Sequence, residues 1–450
     1  MTTGVPAPAP ADDPAPAFGY TVPADPAPDP AGLPAALAEP VAGVRTGWVA
    51  LLALANLAVF MGFFTPIQKL LPQQVEAIDP AHKATMLAWV TGAGAFAAVV
   101  VNPLAGALSD RTSPGRWKAL RGLPARLLGR RHPWTLGGGL LGALALVALA
   151  FQHSIVGVAV CWFVAQSCFN AMLATITAAV PDRVPVAQRG AVSGWVGIPQ
   201  VIGLVLGVLL VTVFVHGVAA GYIAVAIGVV LLTLPFPLST PDDPLPAEHR
   251  PRFHLSRFWV SPRQHPDFAW AFGTRFLVFF GNALGTLYLL YFLGDEVHYA
   301  DPETGLLILI LIYAVAILAT SVISGWFSDR TGKRRIYVVI SGLVMALAAV
   351  VLAIEPTWPA AMVAAALLGA GFGVYLSVDN ALVTQVLPAQ SDRAKDLGVV
   401  NIASSAPQVI APVVAAPVVR GLGGYPTLFA LVAIVTVLGT VFVMRIRSVP

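Results

Sequence analysis

Twelve long apolar runs constrain this chain more than any other feature. They lie roughly at 47–71, 84–109, 134–152, 155–180, 190–215 and 219–238, and, beyond a polar stretch, at 267–293, 304–328, 336–354, 358–387, 396–419 and 425–446. About 20 helical residues cross a hydrocarbon core about 30 Å thick, and the runs match that length. In lipid every backbone N–H and C=O must be satisfied internally, which a helix does by itself. Strands are excluded, because the runs are too long and lack period-two alternation. Composition agrees: 57% of residues are hydrophobic and mean hydropathy is +0.79. Only 11% are Asp, Glu, Lys or Arg, against about 25% in a soluble domain. We therefore predict an all-α membrane protein with twelve transmembrane helices in two six-helix halves.

The flanking segments set the organisation. Residues 1–44 are rich in Pro and Ala and carry Asp12, Asp13, Asp25, Asp29 and Glu39 with no Lys or Arg. They read as a disordered, acidic cytoplasmic tail. With no basic n-region and no apolar h-region, they are not a signal peptide. Residues 45–238 make the N-terminal half, 239–266 a cytoplasmic linker, and 267–450 the C-terminal half. Most of the 26 Lys and Arg fall in the tails and in the loops after helices 2, 4, 6, 8 and 10. The opposite side holds only Lys69, Lys83 and Arg420, so both termini are predicted to be cytoplasmic. Abundant Arg, Ala, Gly and Pro suggest a GC-rich bacterial genome, and hence a multi-pass protein of the bacterial cell membrane. The net charge of +4 sits in loops and gives no reason to expect nucleic acid. Cys161 and Cys168 lie in one apolar run and read as core residues. No metal-ligand spacing, nucleophile elbow or phosphate-binding loop occurs. No enzyme activity, cofactor or metal is expected.

Two loops repeat a charged cluster about half a chain apart: GALSDRTSPGR from Gly106 to Arg116, and GWFSDRTGKRR from Gly325 to Arg335. Other matches follow in the same order. Asn170-Ala171-Met172 parallels Asn380-Ala381-Leu382, and Pro199-Gln200-Val201-Ile202 recurs as Pro407-Gln408-Val409-Ile410. An even number of helices per copy leaves both copies in the same orientation, the parallel repeat of a two-halved carrier. Two such halves, each with G-x-x-x-D-R after its second helix, resemble the major facilitator superfamily over about residues 45–446. SDRT followed by GRRHPW (Gly129 to Trp134) looks like the loop of the glycoside–pentoside–hexuronide:cation symporters and sucrose carriers.

That resemblance implies alternating access, with helices 1, 4, 7 and 10 lining a central cavity. It also implies a cytoplasmic gating cluster of Gly106, Asp110, Arg111, Arg183, Arg189, Gly325, Asp329, Arg330 and Arg393. The two glycines would let helices approach. Arg183 or Arg189 would partner Asp110, and Arg393 would partner Asp329. This latch would hold the outward-facing state and break as the inward-facing state opens. A solvated loop that only sets topology is the bland alternative. The insertion from Ser113 to Leu128 reads either as an interfacial basic helix or as a flexible loop.

Charges inside the membrane are costly, at about 2.5–3.5 kcal/mol each at a helix centre on insertion scales. Arg275 lies about 12 Å into helix 7 and Asp379 about 13 Å from the end of helix 10, at 1.5 Å per residue. The two could meet at the cavity. There Asp379 would be a proton or cation site beside Arg275, or Arg275 would hold an anionic substrate such as a uronate, or the two would form a static ion pair. Neutral polar residues add to the candidates: Gln166 and Asn170 on helix 4, a stripe of Arg275, Phe279, Asn282 and Thr286 on helix 7, and Tyr375 with Asn380 beside Asp379. Amides and hydroxyls near aromatic rings suit sugar hydroxyls, and they equally suit plain interhelical hydrogen bonds. Pro199, Pro407, Pro412 and Pro417 permit bends.

The reading is a monomeric secondary carrier in the lipid bilayer that takes up a small-molecule substrate, a sugar or glycoside, with a proton or cation. A proton-driven exporter of drug-like or metabolite compounds is the alternative carrier. A non-transporting membrane receptor or scaffold is the alternative of another class.

Overall fold

The computed structural model describes residues 40–112, 127, 129–243, 263–386 and 393–447. The tail to residue 39, the loop insertion and most of the linker lie outside the described residues. So do the side chains of Arg189, Asp329, Asn380 and Arg393.

Each apolar run is helical. The helices are α1 (Thr46–Ile78), α2 (Lys83–Arg111), α3 (His132–Ala150), α4 (Ile155–Arg183), α5 (Val186–Leu209, continued by Leu210–Phe214) and α6 (Val218–Ser239). The second set is α7 (Pro266–Leu287, continued by Leu289–Asp295), α8 (Pro302–Thr331), α9 (Arg334–Ile354), α10 (Trp358–Gln385), α11 (Arg393–Gly421) and α12 (Gly424–Met444). No strand occurs among the described residues. Among the described residues, ten helices are long and apolar enough to cross a membrane outright. The two parts of α7, bent by 41° at Tyr288, make an eleventh together, and α5 carries a shorter apolar stretch, Ile198–Phe214. The first turns of α5 are polar, with Gln188, Arg189 and Ser193, so its apolar span is shorter than the sequence run suggests.

The ends follow local chemistry. α4 starts at Ser154, whose hydroxyl accepts from the Gly157 N–H at 3.2 Å. α8 starts at Asp301, whose carboxylate accepts from the Thr304 N–H at 3.2 Å and from its hydroxyl at 2.7 Å. Those bonds satisfy free helix donors and hold the Asp301 carboxyl below its ordinary value. α8 stops at Gly332, whose φ of 67° is one that glycine adopts without strain. Two segments wind wider than α-helix: Pro66–Leu70 within α1 and Leu210–Phe214 at the end of α5. Such π-helical turns are rare and concentrate at functional positions.

Packing repeats between the two sets. α2 and α3 pack on α4, α5 packs on α1, and α6 packs on α3 and α1; in the second set α8 and α9 pack on α10, α11 packs on α7, and α12 packs on α9 and α7. Between the sets, α2 meets α11 and α5 meets α8. Glycine permits the closest approaches. A Cβ on Gly138 of α3 would sit 2.6 Å from the Cys168 carbonyl on α4, and one on Gly371 of α10 would sit 2.7 Å from the Ser341 carbonyl on α9. The outward faces are apolar: Leu144 is 63% exposed, Val156 74%, Val315 67% and Val322 75%. A water-soluble protein would expose polar groups there. These faces suit lipid.

Candidate functional site

A cavity lies between the two sets of helices. α1 and α5 line one side, with Phe64, Gln68 and Gln200; the other side is formed mainly by α7, α8 and α10 with Gln408 of α11. The predicted stripe on α7 is on the wall at Phe279, Asn282 and Thr286. The Tyr313 hydroxyl donates to the Asn282 side-chain oxygen at 3.0 Å. Gln68, Gln200, Gln408 and Tyr313 were not singled out from sequence. The repeated Pro-Gln pair was the available signal, since both of its glutamines reach the cavity.

The expected intramembrane pair is present one helical turn beyond the wall, on the side of the chain termini. Arg275 on α7 forms an ion pair with Asp379 on α10. Its Nε donates to the Ser404 hydroxyl on α11 at 2.7 Å. The Tyr375 hydroxyl donates to the other Asp379 oxygen at 2.5 Å. Asp379 is 4% exposed and Tyr375 fully buried, so hydrogen bonds and a counter-charge take the place of water around the carboxylate. The guanidinium also lies 5.5 Å from the centre of the Phe279 ring, and Phe279 is itself part of the cavity wall. Cation and cavity thus share one aromatic ring.

The helix 4 candidates are placed elsewhere. Asn170 donates to the Gln166 side chain at 3.1 Å and to the Gln166 carbonyl at 2.8 Å. Both are buried, and neither lines the cavity. Asn380 lies outside the described side chains.

At the termini end, Asp110 does not pair with Arg183. Its carboxylate takes Arg131 at 2.6 Å and Arg130 at 3.8 Å, while Arg183 reaches Asp243 at 2.9 Å. The two arginines also hold Asp182 at the end of α4, at 2.8 and 2.9 Å. Asp242, after α6, accepts from the Arg131 and His132 backbone N–H groups at 2.7 Å each, capping the start of α3. Burial alone would lower the pKa of Arg131, but Asp182 and Asp110 outweigh it and hold the group above its ordinary value. GRRHPW therefore supplies the partners of the SDRT aspartate. Arg183 was the nearer guess in sequence, but it points to the linker. Gly106 is not at a close helix contact, since a Cβ there would meet nothing within 4 Å, and Gly325 would meet only Ser377 at 3.8 Å. Arg111 and Arg330 are exposed. Arg189, Asp329 and Arg393 lie outside the described side chains.

The far end, opposite the termini, is bridged between the two sets. Lys69, only 2% exposed, pairs with Glu303 in the first turn of α8 at 2.7 Å. It also donates to the Val211 carbonyl and the Thr212 hydroxyl, at 3.0 and 3.1 Å. Both π-helical turns thus meet at this lysine. Gln73 donates to the same glutamate. Lys83 joins Glu76 at 2.8 Å and Asp295 at 2.7 Å. The hydroxyls of Tyr288 and Tyr291 donate to the carbonyls of Ala84 and Pro72 at 2.9 and 2.8 Å. Arg420 donates to Thr85.

Comparison with known proteins gives a consistent fold. The family model described as Major Facilitator Superfamily matches residues 122–309 and 271–450. A point mutant of the nucleoside transporter NupG is similar in structure, with a TM-score of 0.68 at 15% identity, over 89% of this chain and 99% of that one. A POT family transporter in complex with a thioalcohol-conjugated peptide gives 0.68 at 14% identity, over 88% and 95%. No curated protein matches the sequence significantly.

Proposed function

The chain belongs to the major facilitator superfamily, and from that premise we propose that it takes up a sugar or glycoside by alternating access, coupled to a proton or cation. Membrane transport, rather than catalysis, follows from the family; substrate, direction and coupling are our reading. One observation carries it. The Arg275–Asp379 pair is buried one turn from a cavity whose wall, Phe279, lies against the arginine. Protonation of Asp379 would release Arg275, and substrate in the cavity would press on the ring that covers it. Amides and hydroxyls at Gln68, Gln200, Asn282, Tyr313 and Gln408 suit sugar hydroxyls.

The far end is bridged between the two halves. The cluster around Asp110 ties α2, α3, α4 and the end of α6 within one half. We propose that Asp110, whose described partners all lie in this half, braces these helix ends together during gating. Asp110→Asn is expected to cost about 1–2 kcal/mol, read as a lower unfolding temperature in detergent together with slower transport. Wild-type values for both would remove the role.

The apolar part of the wall supports a second reading, a proton-driven exporter of drug-like or metabolite compounds. Counterflow in proteoliposomes separates the two. Labelled glucose, 4-nitrophenyl glycosides and uridine form the panel; uridine is included because a nucleoside, the cargo named for one structural neighbour, is a neutral glycoside. Exchange of any member supports the uptake reading. No exchange by folded protein, with exchange of apolar organic cations instead, would establish the exporter.

A further inference from the structure

The internal repeat places one glutamine from each half on the cavity wall. Gln200 follows Pro199 on α5, and Gln408 follows Pro407 on α11. These two helices pack across the seam between the halves, α5 on α8 and α11 on α2. Each proline lies inside its helix and lacks the N–H that would bond the carbonyl four residues earlier, so each helix can bend beside its glutamine. A ligand held by both amides would touch both halves at their seam.

The wall also defines what that ligand is. Its polar groups are amides and hydroxyls, namely those of Gln68, Asn282, Thr286 and Tyr313 besides the two glutamines, and no charged side chain lines it among the described residues. The nearest charges are already engaged: Arg275 bonds Asp379 and Ser404, and Asp379 also accepts from Tyr375. A charged ligand would lose its hydration here and gain no counter-charge. Phe64, Phe279 and Phe372 add apolar aromatic surface to the wall. Each glutamine amide both donates and accepts, so it can bind a hydroxyl, carbonyl or ring nitrogen.

We propose that Gln200 and Gln408 are the specificity-determining pair for an uncharged ligand that carries both hydrogen-bonding groups and an apolar ring. An aryl glycoside fits that description. A free hexose lacks the apolar face, and a uronate carries a charge the wall does not answer. The proposal rests on the carrier reading for the use of the cavity, but its test reads binding and needs no flux.

Purified wild-type protein in detergent is titrated calorimetrically with 4-nitrophenyl glucoside, uridine, glucose and glucuronate, beside Gln200→Ala, Gln408→Ala and the double variant. Neither glutamine has a hydrogen bond to the protein among the described contacts, so both variants should keep the wild-type unfolding temperature. The nitrophenyl glucoside or uridine is expected to bind more tightly than glucose, and glucuronate not to bind. Each single variant should weaken the neutral ligand about tenfold, as for one hydrogen bond lost from a desolvated partner, and the double variant about a hundredfold. Wild-type affinity in the folded variants overturns the pair. Glucuronate binding best, or no neutral probe binding, overturns the ligand class. Tight neutral binding lost in the variants, in a protein that shows no counterflow, would uphold the pair while defeating the transport reading.

Discussion

Arg275→Ala is expected to destabilise the protein by about 3–5 kcal/mol, because it leaves the Asp379 carboxylate buried without its cation. The partner cannot turn to water: Asp379 is 4% exposed, and of its described contacts only the Tyr375 hydroxyl remains. Asp379→Ala removes the guanidinium's buried counter-charge, although its bond to the Ser404 hydroxyl remains. The double variant should recover much of the loss, since removing both charges removes both desolvation costs. Unfolding in detergent, followed for both singles and the double, gives this coupling directly. Transport should respond differently. If the pair only joined α7 to α10, the double variant would recover flux with stability. The coupling account expects it to regain stability and stay inactive in concentrative uptake.

Lys69→Met is expected to release the far end. Lys69 is the buried partner and Glu303 is 46% exposed, so the glutamate rehydrates while three contacts to the lysine disappear. A hydrogen bond to a charged group contributes about 1.5–3 kcal/mol, enough to move the ratio of closed to open molecules about ten- to a hundredfold. The fold itself should survive, because methionine fills similar space and the charge left without its cation, Glu303, is exposed to water. Pulsed dipolar distances between spin labels at the far ends of α1 and α8, in liposomes, would show a longer population. An unchanged distance distribution would mean that the tyrosines and Lys83 hold this end alone.

Much of this architecture can be read from residue order. Apolar runs of membrane-crossing length leave helices as the only backbone solution, and all of them are helical. Arg275 and Asp379 were legible for the same reason, because a charge in an apolar helix must find a partner, and Tyr375 followed from its spacing one turn before Asp379. The neutral polar residues were not legible. An amide in an apolar helix looks the same in sequence whether it faces a neighbour, itself or a cavity. Gln166 and Asn170 satisfy each other along one helix, whereas Gln200 and Gln408, passed over as mere repeat markers, reach the cavity. The partners of Asp110 were missed because pairing at a loop depends on where the chain returns. Arg130 and Arg131 come back beneath α2 after the insertion, and Arg183, closer to the expected geometry, turns to Asp243. The bend at Tyr288 left no proline or glycine pair to announce it; the tyrosine hydroxyl is held instead by a carbonyl of the other half.

In the proposed mechanism the Arg275–Asp379 pair couples ion movement to solute movement. Solute-evoked current in proteoliposomes tests it most directly, with 4-nitrophenyl glucoside, an inward proton gradient, and wild type beside Asp379→Asn. The account predicts a current in the wild type that grows with the gradient and is absent in Asp379→Asn, while that variant still exchanges the glycoside in counterflow. A current of wild-type size and pH dependence in Asp379→Asn would contradict it.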